Sequence, residues 1–267
     1  MAAITPMEQF MIERVKWLPP LGVDVPGLGH IDLSVTNSVA TMMFAAVAIT
    51  LLFVAAARGR VVPGRLQAFG EILYDLADKG LAGPMIGDRG RPFLPYIFAL
   101  FCLIAFMNIW GIIPGQFTVT SQLAVTVTLA IVTFAMVVIV GLVKNGLGFF
   151  KLFVPSGVHW IMLLLVVPIE IVSFLVRPVT LSMRLFGNMI GGHVVLYMFG
   201  SFVVAMAAWA AATGGLAYLG FIGSGLSLAM VIALSALELI VAFLQAFVFA
   251  ALTCTYLSDV LNLDHGH

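Results

Sequence analysis

The longest apolar region of the sequence runs from Trp160 to Leu257 and has one clear break, at Gly214-Gly215. A helix needs about 20 apolar residues to cross the ~30 Å of hydrocarbon in a bilayer. At about 1.5 Å per residue, the part that precedes the break would form a helix ~75 Å long. It is therefore either two spans with a hidden loop near 177–192 or one long helix that lies strongly tilted in the membrane.

Composition agrees with a polytopic membrane protein. Charged residues make up 9% of the 267 residues, and apolar residues make up 62%. The formal net charge is zero, which gives no reason to expect a nucleic-acid partner. We expect no cleavable signal peptide, because the first residues carry charges and no long apolar core. The two cysteines, Cys102 and Cys254, stand singly in apolar runs, so we interpret them as packing residues rather than as a disulfide or metal ligands.

The chain divides into an N-terminal extramembrane arm, 1–36, a single membrane domain, 37–260, and a tail, 261–267. Within the membrane domain we expect a first span at 38–57 and an amphipathic helix at 65–83. A hairpin of two spans follows at 93–113 and 119–143, and a long hairpin at 158–213 and 216–260. In the amphipathic segment, apolar side chains recur on one helical face: Leu66, Phe69, Leu73 and Leu76. This segment is too polar to span, so it lies either along the membrane surface or against other protein.

Basic residues indicate the orientation. They are concentrated between the first and second spans and before the long arm, whereas the turns at 114–118 and 213–216 carry none. The positive-inside rule places the basic loops and the C-terminus in the cytoplasm and the N-terminus outside. A hidden external loop at 177–192 would hold Arg177 and Arg184 against this rule, which favours one long arm. The predicted fold is thus an all-α polytopic membrane protein with five membrane-embedded helices and one amphipathic surface helix, the last two spans forming a long tilted antiparallel hairpin.

The two long arms contain an unusual number of ionisable residues. A charge at the bilayer centre costs at least ~2.5–3.5 kcal/mol, so such residues are rare and usually functional. These arms carry five ionisable and three further polar candidates: Glu170, Arg177, Arg184, His193 and Glu238, with Ser173, Asn188 and Gln245. So many on two adjacent helices suggest a path for an ion.

Helical spacing arranges these residues into faces. Glu170, Arg177 and Arg184 are seven apart and share one stripe, and Asn188 follows Arg184 on the same face. His193 comes nine residues after Arg184, which is a half-turn, so it points away from the stripe.

Folding the arms at the glycine break brings polar residues opposite each other. Facing residues in an antiparallel hairpin have a constant sum of residue numbers, here about 430. His193 and Glu238 add to 431, and Arg184 and Gln245 add to 429. Both polar pairs therefore fall in register.

The hairpin then has three polar positions. The pair His193 and Glu238 lies toward the outside and can exchange protons. Glu170 would face about Val260, with Ser173 nearby, toward the cytoplasm. The central Arg184 stays charged and cannot pass a proton on, so it is a barrier between two half-paths. A mobile carboxylate on a partner is needed to carry the proton around it.

The segments "RPVTLSMRLFGNMIGGH" and "ELIVAFLQAFVFAALTCTYLSD" resemble subunit a of the rotary F-type ATP synthase, in its alphaproteobacterial and mitochondrial form. The likeness extends to "GRPFLPYIFALFCLIAFMNIWGIIPGQFTVTS" and, more weakly, to "TPMEQFMIERV". It covers roughly residues 5–260. Many bacterial members have the acid and the histidine exchanged relative to His193 and Glu238, and some have an acid where Gln122 stands.

The resemblance implies a stator proton-channel subunit that abuts a ring of c subunits, each with one mid-membrane carboxylate. Arg184 would separate two half-channels, His193 and Glu238 would line the inlet, and Glu170 and Ser173 the outlet. Asn188 and Gln245 would be polar neighbours of the arginine. It also implies b-type peripheral stalk partners, the rest of the complex, no cofactor or metal, and no catalytic site of the subunit's own. The expected location is the bacterial inner membrane, with the mitochondrial inner membrane as the alternative.

Other interpretations stay open. His193 and Glu238 would form a static pair that only holds the hairpin, Glu170 would be an interface residue, and Arg177 would serve structure. A proton-coupled secondary transporter is the main rival function, but it predicts internal repeats that the sequence lacks. An intramembrane protease would need a metal-binding or serine–histidine motif, and "GGHVV" supplies neither.

Overall fold

The computed structural model describes residues 11, 22–25, 29–32, 34, 36–57, 62, 64–113, 116–154, 160–213 and 217–262. In the N-terminal arm, strands β1 (Gly22–Val25) and β2 (Gly29–Asp32) pair antiparallel. Gly22 lies opposite Asp32, and Val25 lies opposite Gly29. The sequence analysis did not predict this hairpin. It precedes the first long helix, and the fold that follows is helical, as predicted.

Among the residues that the structure describes, five helices are long and apolar enough to cross a membrane, which confirms the predicted number. They are α1 (Asn37–Ala56), α4 (Leu94–Ile112), α5 (Leu123–Asn145), α6 (Trp160–Thr213) and α7 (Ala217–Leu261). Thr36 caps the first of them, since its side chain accepts a hydrogen bond from the backbone N–H of Val39. The chain is a multi-pass membrane protein.

The amphipathic segment forms α2 (Arg65–Ala77), which continues through a π-helical turn, Asp78–Ala82, into the short helix α3 (Gly83–Ile86). It packs on the membrane helices through Gly70, where an added Cβ would meet the Ala56 side chain at 3.2 Å. Tyr74 contacts Phe98 of α4 edge-on. The four residues of the predicted apolar face do not behave alike. Leu73 and Leu76 pack on the core, whereas Leu66 and Phe69 are exposed.

The largest core lies where α4 meets α7. In the most apolar part of the span that contains α4, half of the residues are buried, a far larger share than in any other described span. Phe101 packs edge-on against Phe243 of α7, with ring centroids 5.6 Å apart. Leu181 and Leu185 of α6 join the same core. α7 is thus the central helix, with α4 on one side and α6 on another.

The two long arms are continuous helices. α6 contains Pro168 and Pro178 without interruption between Trp160 and Thr213. The structure therefore selects the single long helix over two spans with a hidden loop near 177–192. The tilt of this helix relative to the bilayer stays a prediction. The break at 214–216 lies outside the described residues.

α6 and α7 form the predicted antiparallel hairpin. Near its closed end, Gly220 lies so close to α6 that an added Cβ would meet the Cβ of Ala210 at 2.6 Å. The numbers of these two residues add to 430, as the sequence analysis assumed. Farther from the turn the sum is higher. Arg177 pairs with Asp259, and the numbers of these two residues add to 436.

Two predicted positions need correction. Gln245 pairs with Asn188 rather than with Arg184. Val260 lies in one hydrophobic cluster with Phe174 of α6, one turn beyond Glu170. Both shifts have the same sign. Side chains lean toward the N-terminus of their own helix, so in an antiparallel pair the interacting residues have higher numbers than the backbones alone predict.

Candidate functional site

The candidate site begins with the acid–imidazole pair that the register predicted. Nε2 of His193 on α6 lies 3.7 Å from Oε1 of Glu238 on α7, and each residue is only 5% exposed. Gly192 makes room for the carboxylate, because a Cβ at this position would lie 2.6 Å from Oε1. Neither carboxylate oxygen accepts a hydrogen bond from the described residues. Burial without such bonds is costly for an ionised carboxylate, so its charge state depends on what faces it.

A threonine from a third segment completes this pair. Thr118 lies in the turn between α4 and α5, just before a 3₁₀ turn at Val119–Ser121. Its Oγ1 is 3.1 Å from His193 Nε2 and 3.1 Å from the carbonyl oxygen of Gly111. Thr118 is 3% exposed. The sequence analysis missed it, although the polar run "FTVTS" in the predicted external turn was a usable signal.

Arg184 lies on the opposite side of α6. Its sequence neighbours Ser182 and Leu185 are buried, whereas Arg184 itself is exposed on the surface of the chain. It makes no hydrogen bond or ion pair with the residues that the structure describes, although it acts electrostatically on Tyr256 of α7. An exposed guanidinium on a membrane helix is costly unless another molecule or water covers it.

The helix surface next to Arg184 is open at two glycines. Gly187 and Gly191 follow on the same helical face, three and seven residues on, and both are exposed. An added Cβ at either glycine would meet no atom within 4 Å. Glycines four apart let a second helix approach closely in a membrane. We call Arg184, Gly187, Asn188 and Gly191 the arginine face.

Asn188 connects the arginine face to α7. Its Nδ2 donates a hydrogen bond of 2.8 Å to Oε1 of Gln245, which is buried. The Nε2 of Gln245 has no partner among the described residues. The amide pair therefore lies between the exposed arginine and the interior of the hairpin.

The structure does not bring the predicted cytoplasmic residues together with the others. Glu170 is half-buried and Ser173 is exposed, one turn apart on α6. Glu170 has no hydrogen bond or ion pair with any described residue. Their place in an ion path rests on helical spacing alone and stays a prediction.

Arg177 has a defined environment that the sequence analysis did not find. It donates to Oδ2 of Asp259 at 2.9 Å, and its guanidinium lies over the rings of Phe174 and Tyr256, at 5.4 and 4.7 Å. These contacts support the interpretation of Arg177 as a structural residue. It joins α6 to α7 near the C-terminal end of α7.

Asn108 of α4 is a second polar residue that was missed. It is fully buried, and its Nδ2 donates to the carbonyl oxygen of Ala242 at 3.0 Å. Its Oδ1 has no partner among the described residues. A single asparagine in "FMNIW" gives no pattern from which its contact could be predicted. In the described part of the chain no cluster of three or more His, Cys, Asp or Glu could hold a metal ion.

Comparisons with known proteins decide the family. The sequence model of the family described as ATP synthase A chain matches residues 39–258. The chain belongs to this family. A relative named ATP synthase subunit a from Rhodopseudomonas palustris strain BisB18 is 46% identical over 263 residues, which is 98% of this chain and 100% of the relative.

Two further members of the ATP synthase A chain family show the same full-length match. Subunit a of Mesorhizobium japonicum is 45% identical over 266 residues, 98% of either chain. Subunit a of Pelagibacter ubique is 42% identical over 264 residues, which is 98% of this chain and 100% of the relative. Membership confirms the predicted resemblance and identifies this chain as a membrane subunit of the ATP synthase complex, with a part in proton transport and ATP synthesis.

Proposed function

We propose that this chain is the stator proton-channel subunit of a rotary ATP synthase and that Arg184 separates two offset half-channels. The observation that carries the proposal is the division of polar groups between two sides of α6. Arg184 is exposed on one side, whereas His193 and Glu238 are buried on the other, against α7. A permanent charge thus stands apart from a pair of groups that can gain and lose protons.

The proposed moving partner is a ring of c subunits that docks on the arginine face. Open space over Gly187 and Gly191 supports close approach of another helix. A carboxylate on that helix would satisfy Arg184, which has no ion-pair partner in the described chain. Each ring carboxylate is attracted to Arg184 when ionised and leaves it when it has taken up a proton.

The two half-channels have different linings. His193 and Glu238 form the inlet, and the hydrogen bond of Asn188 to Gln245 connects the arginine face to the interior of the hairpin. Glu170 and Ser173 form the outlet, on the stripe of Arg184 toward the basic loops. Protons enter on one side, ride the ring, and leave on the other. The subunit itself has no catalytic site.

The proposed location is the bacterial inner membrane, with the N-terminus in the periplasm and the C-terminus in the cytoplasm. This orientation is supported by basic residues that lie just before α4 and around the end of α5, among them Arg91, Lys144 and Lys151. A b-type peripheral stalk would hold the subunit against the torque of the ring.

The test is Arg184→Ala in membrane vesicles, at matched abundance of the assembled complex. ATP-driven proton pumping and proton-driven ATP synthesis should both be lost, because nothing then attracts the ionised ring carboxylate. Arg184→Lys should also fail largely, since lysine lacks the planar guanidinium fork and can deprotonate. Arg65→Ala is the matched control, because Arg65 is an exposed arginine at the start of α2. Normal pumping by Arg184→Ala would refute the proposed function.

A further inference from the structure

One hydroxyl group touches the acid–imidazole pair from outside the long hairpin. Thr118 approaches His193 from the turn that follows α4, and its Oγ1 lies 3.1 Å from both His193 Nε2 and the carbonyl oxygen of Gly111. Gly111 permits this approach, because a Cβ there would lie 2.7 Å from Thr118 Cγ2. The three residues that meet, Thr118, His193 and Glu238, are each at most 5% exposed.

Counting hydrogens shows that these two contacts of Thr118 depend on the state of His193. A hydroxyl group donates one hydrogen and can accept others. A carbonyl oxygen accepts only. When the hydroxyl donates to Gly111, Nε2 must carry a hydrogen and donate it to Oγ1. When Nε2 carries none, the hydroxyl can rotate and donate to it instead.

We propose that Thr118 is a positioning residue for His193, which holds the imidazole in place in both protonation states while a proton passes to Glu238. The proposal rests on the proposed function of His193 and Glu238 as the inlet. It adds a residue from outside the α6–α7 hairpin to that path.

The proton step balances without another reactant. The imidazolium gives its Nε2 proton to a carboxylate oxygen of Glu238 once the two atoms close from 3.7 Å to hydrogen-bond distance. The products are a neutral imidazole with its hydrogen on Nδ1 and a neutral carboxyl group. Thr118 keeps its own hydrogen throughout and turns it from the Gly111 carbonyl to the freed Nε2 lone pair. The reverse rotation accompanies the next protonation of the imidazole.

The Thr118 hydroxyl is important because of the other groups that face Nε2 of His193. The titratable group that faces it from α7 is Glu238, 3.7 Å away, which is too long for a direct hydrogen bond. The groups that face it from α4 and the following turn, the Gly111 carbonyl and the Thr118 hydroxyl, carry no charge. Thr118 is thus the closer partner of Nε2. A hydrogen bond from a charged donor is stronger than one to a neutral ring, so losing this acceptor disfavours the imidazolium more.

The experiment compares Thr118→Val, which removes the hydroxyl at nearly constant shape, with Thr118→Ser, which keeps it. Proton-driven ATP synthesis is measured in inverted vesicles at fixed external pH and membrane potential while the pH of the lumen, the inlet side, is varied. Thr118→Val should need about threefold to tenfold more protons in the lumen for half-maximal rate, the value of one hydrogen bond. Thr118→Ser should return the midpoint to that of the wild type.

Thr120→Val is the matched control, because Thr120 is fully buried two residues away and its hydroxyl has no partner among the described residues. It should leave the midpoint unchanged. An unshifted midpoint in Thr118→Val, or an equal loss of rate at every pH in Thr118→Val and Thr118→Ser, would overturn the inference.

Thr118→Ala provides a second deletion of the hydroxyl and should show the same acid shift. If neither Thr118→Val nor Thr118→Ala yields assembled complex, Thr118 serves assembly and the inference is wrong. Failure here is separate from failure of the proposed function. In the first case Arg184→Ala still abolishes pumping, whereas in the second it does not.

Discussion

At the scale of single residues, the two glycines of "MIGGH" have different surroundings. Gly192 leaves the space that the Glu238 carboxylate occupies beside His193. Gly191 faces outward on the arginine face, where the structure leaves open space. One pair of adjacent glycines thus leaves space for the buried pair on one side and for the proposed ring of c subunits on the other.

The pair itself gives a prediction about exchange. His193→Glu alone creates two acids, and Glu238→His alone creates two imidazoles, so each single variant should slow proton uptake strongly. The double variant restores an acid and an imidazole within the same contact, in reversed order. It should recover more proton-driven ATP synthesis than either single variant, measured in inverted vesicles at matched abundance of the complex.

A static role for the pair predicts a different pattern. If the two residues only held the hairpin together, the single variants would lower the amount of assembled complex rather than its rate. A double variant no faster than the worse single variant would show that His193 and Glu238 do not act as a unit.

At the scale of the helices, the register of α6 on α7 could be predicted near their turn and less well away from it. The sum rule placed His193 opposite Glu238, and the structure brings these two side chains to 3.7 Å. It failed for Arg177, whose long side chain reaches along the helix to Asp259. It also assigned Gln245 to Arg184, although the shorter Asn188 holds it and Arg184 turns outward.

The Arg177–Asp259 contact should stabilise the hairpin through more than charge. Arg177 also lies against two aromatic rings, so Arg177→Met should lower the thermal midpoint of the purified complex more than Asp259→Asn does. The double variant should reveal a coupling of about 0.5–3 kcal/mol, as for residues within one network.

The exposed pair Lys79–Asp75 of the α2 region is the control for this measurement. Its distance is 2.7 Å, but the side chains are 73% and 56% exposed, compared with 18% and 36% for Arg177 and Asp259. Asp75→Asn should leave the thermal midpoint unchanged, because solvent screens an exposed pair. A larger loss from Asp259→Asn than from Arg177→Met would contradict the proposed contribution of the rings.

At the scale of the whole molecule, the number of spans and the hairpin of long helices could be predicted from the sequence. The length of an apolar segment decides whether it can span a bilayer, and the distribution of basic residues indicates which loops share a side. Contacts from other segments could not. Thr118 reaches His193 across 75 positions of sequence, and Asn108 reaches Ala242 across 134. Neither contact has a periodicity that a sequence displays. The hairpin of β1 and β2 was also missed, since the sequence analysis assigned residues 1–36 to an extramembrane arm without predicting any secondary structure there.

The architecture supports the proposed control of the path by one charge. α7 is held on one side by α4 and on another by α6, so His193 and Glu238, the proposed inlet pair, are enclosed by three segments. The arginine face lies on the outer surface of α6, outside this enclosure. In the proposed mechanism, protons that reach His193 and Glu238 leave on the ring, because the fixed charge of Arg184 opposes their direct passage to the outlet.

The most direct test of this account measures proton leakage when the ring cannot turn. Vesicles that contain the complete membrane sector are prepared with the ring covalently cross-linked to this subunit, and the decay of an imposed pH gradient is followed. The wild type should hold the gradient, because Arg184 separates the half-channels and the locked ring carries no protons. Arg184→Ala should dissipate it through the same locked sector. A gradient that decays no faster in Arg184→Ala than in the wild type would contradict the claim that this arginine is the barrier.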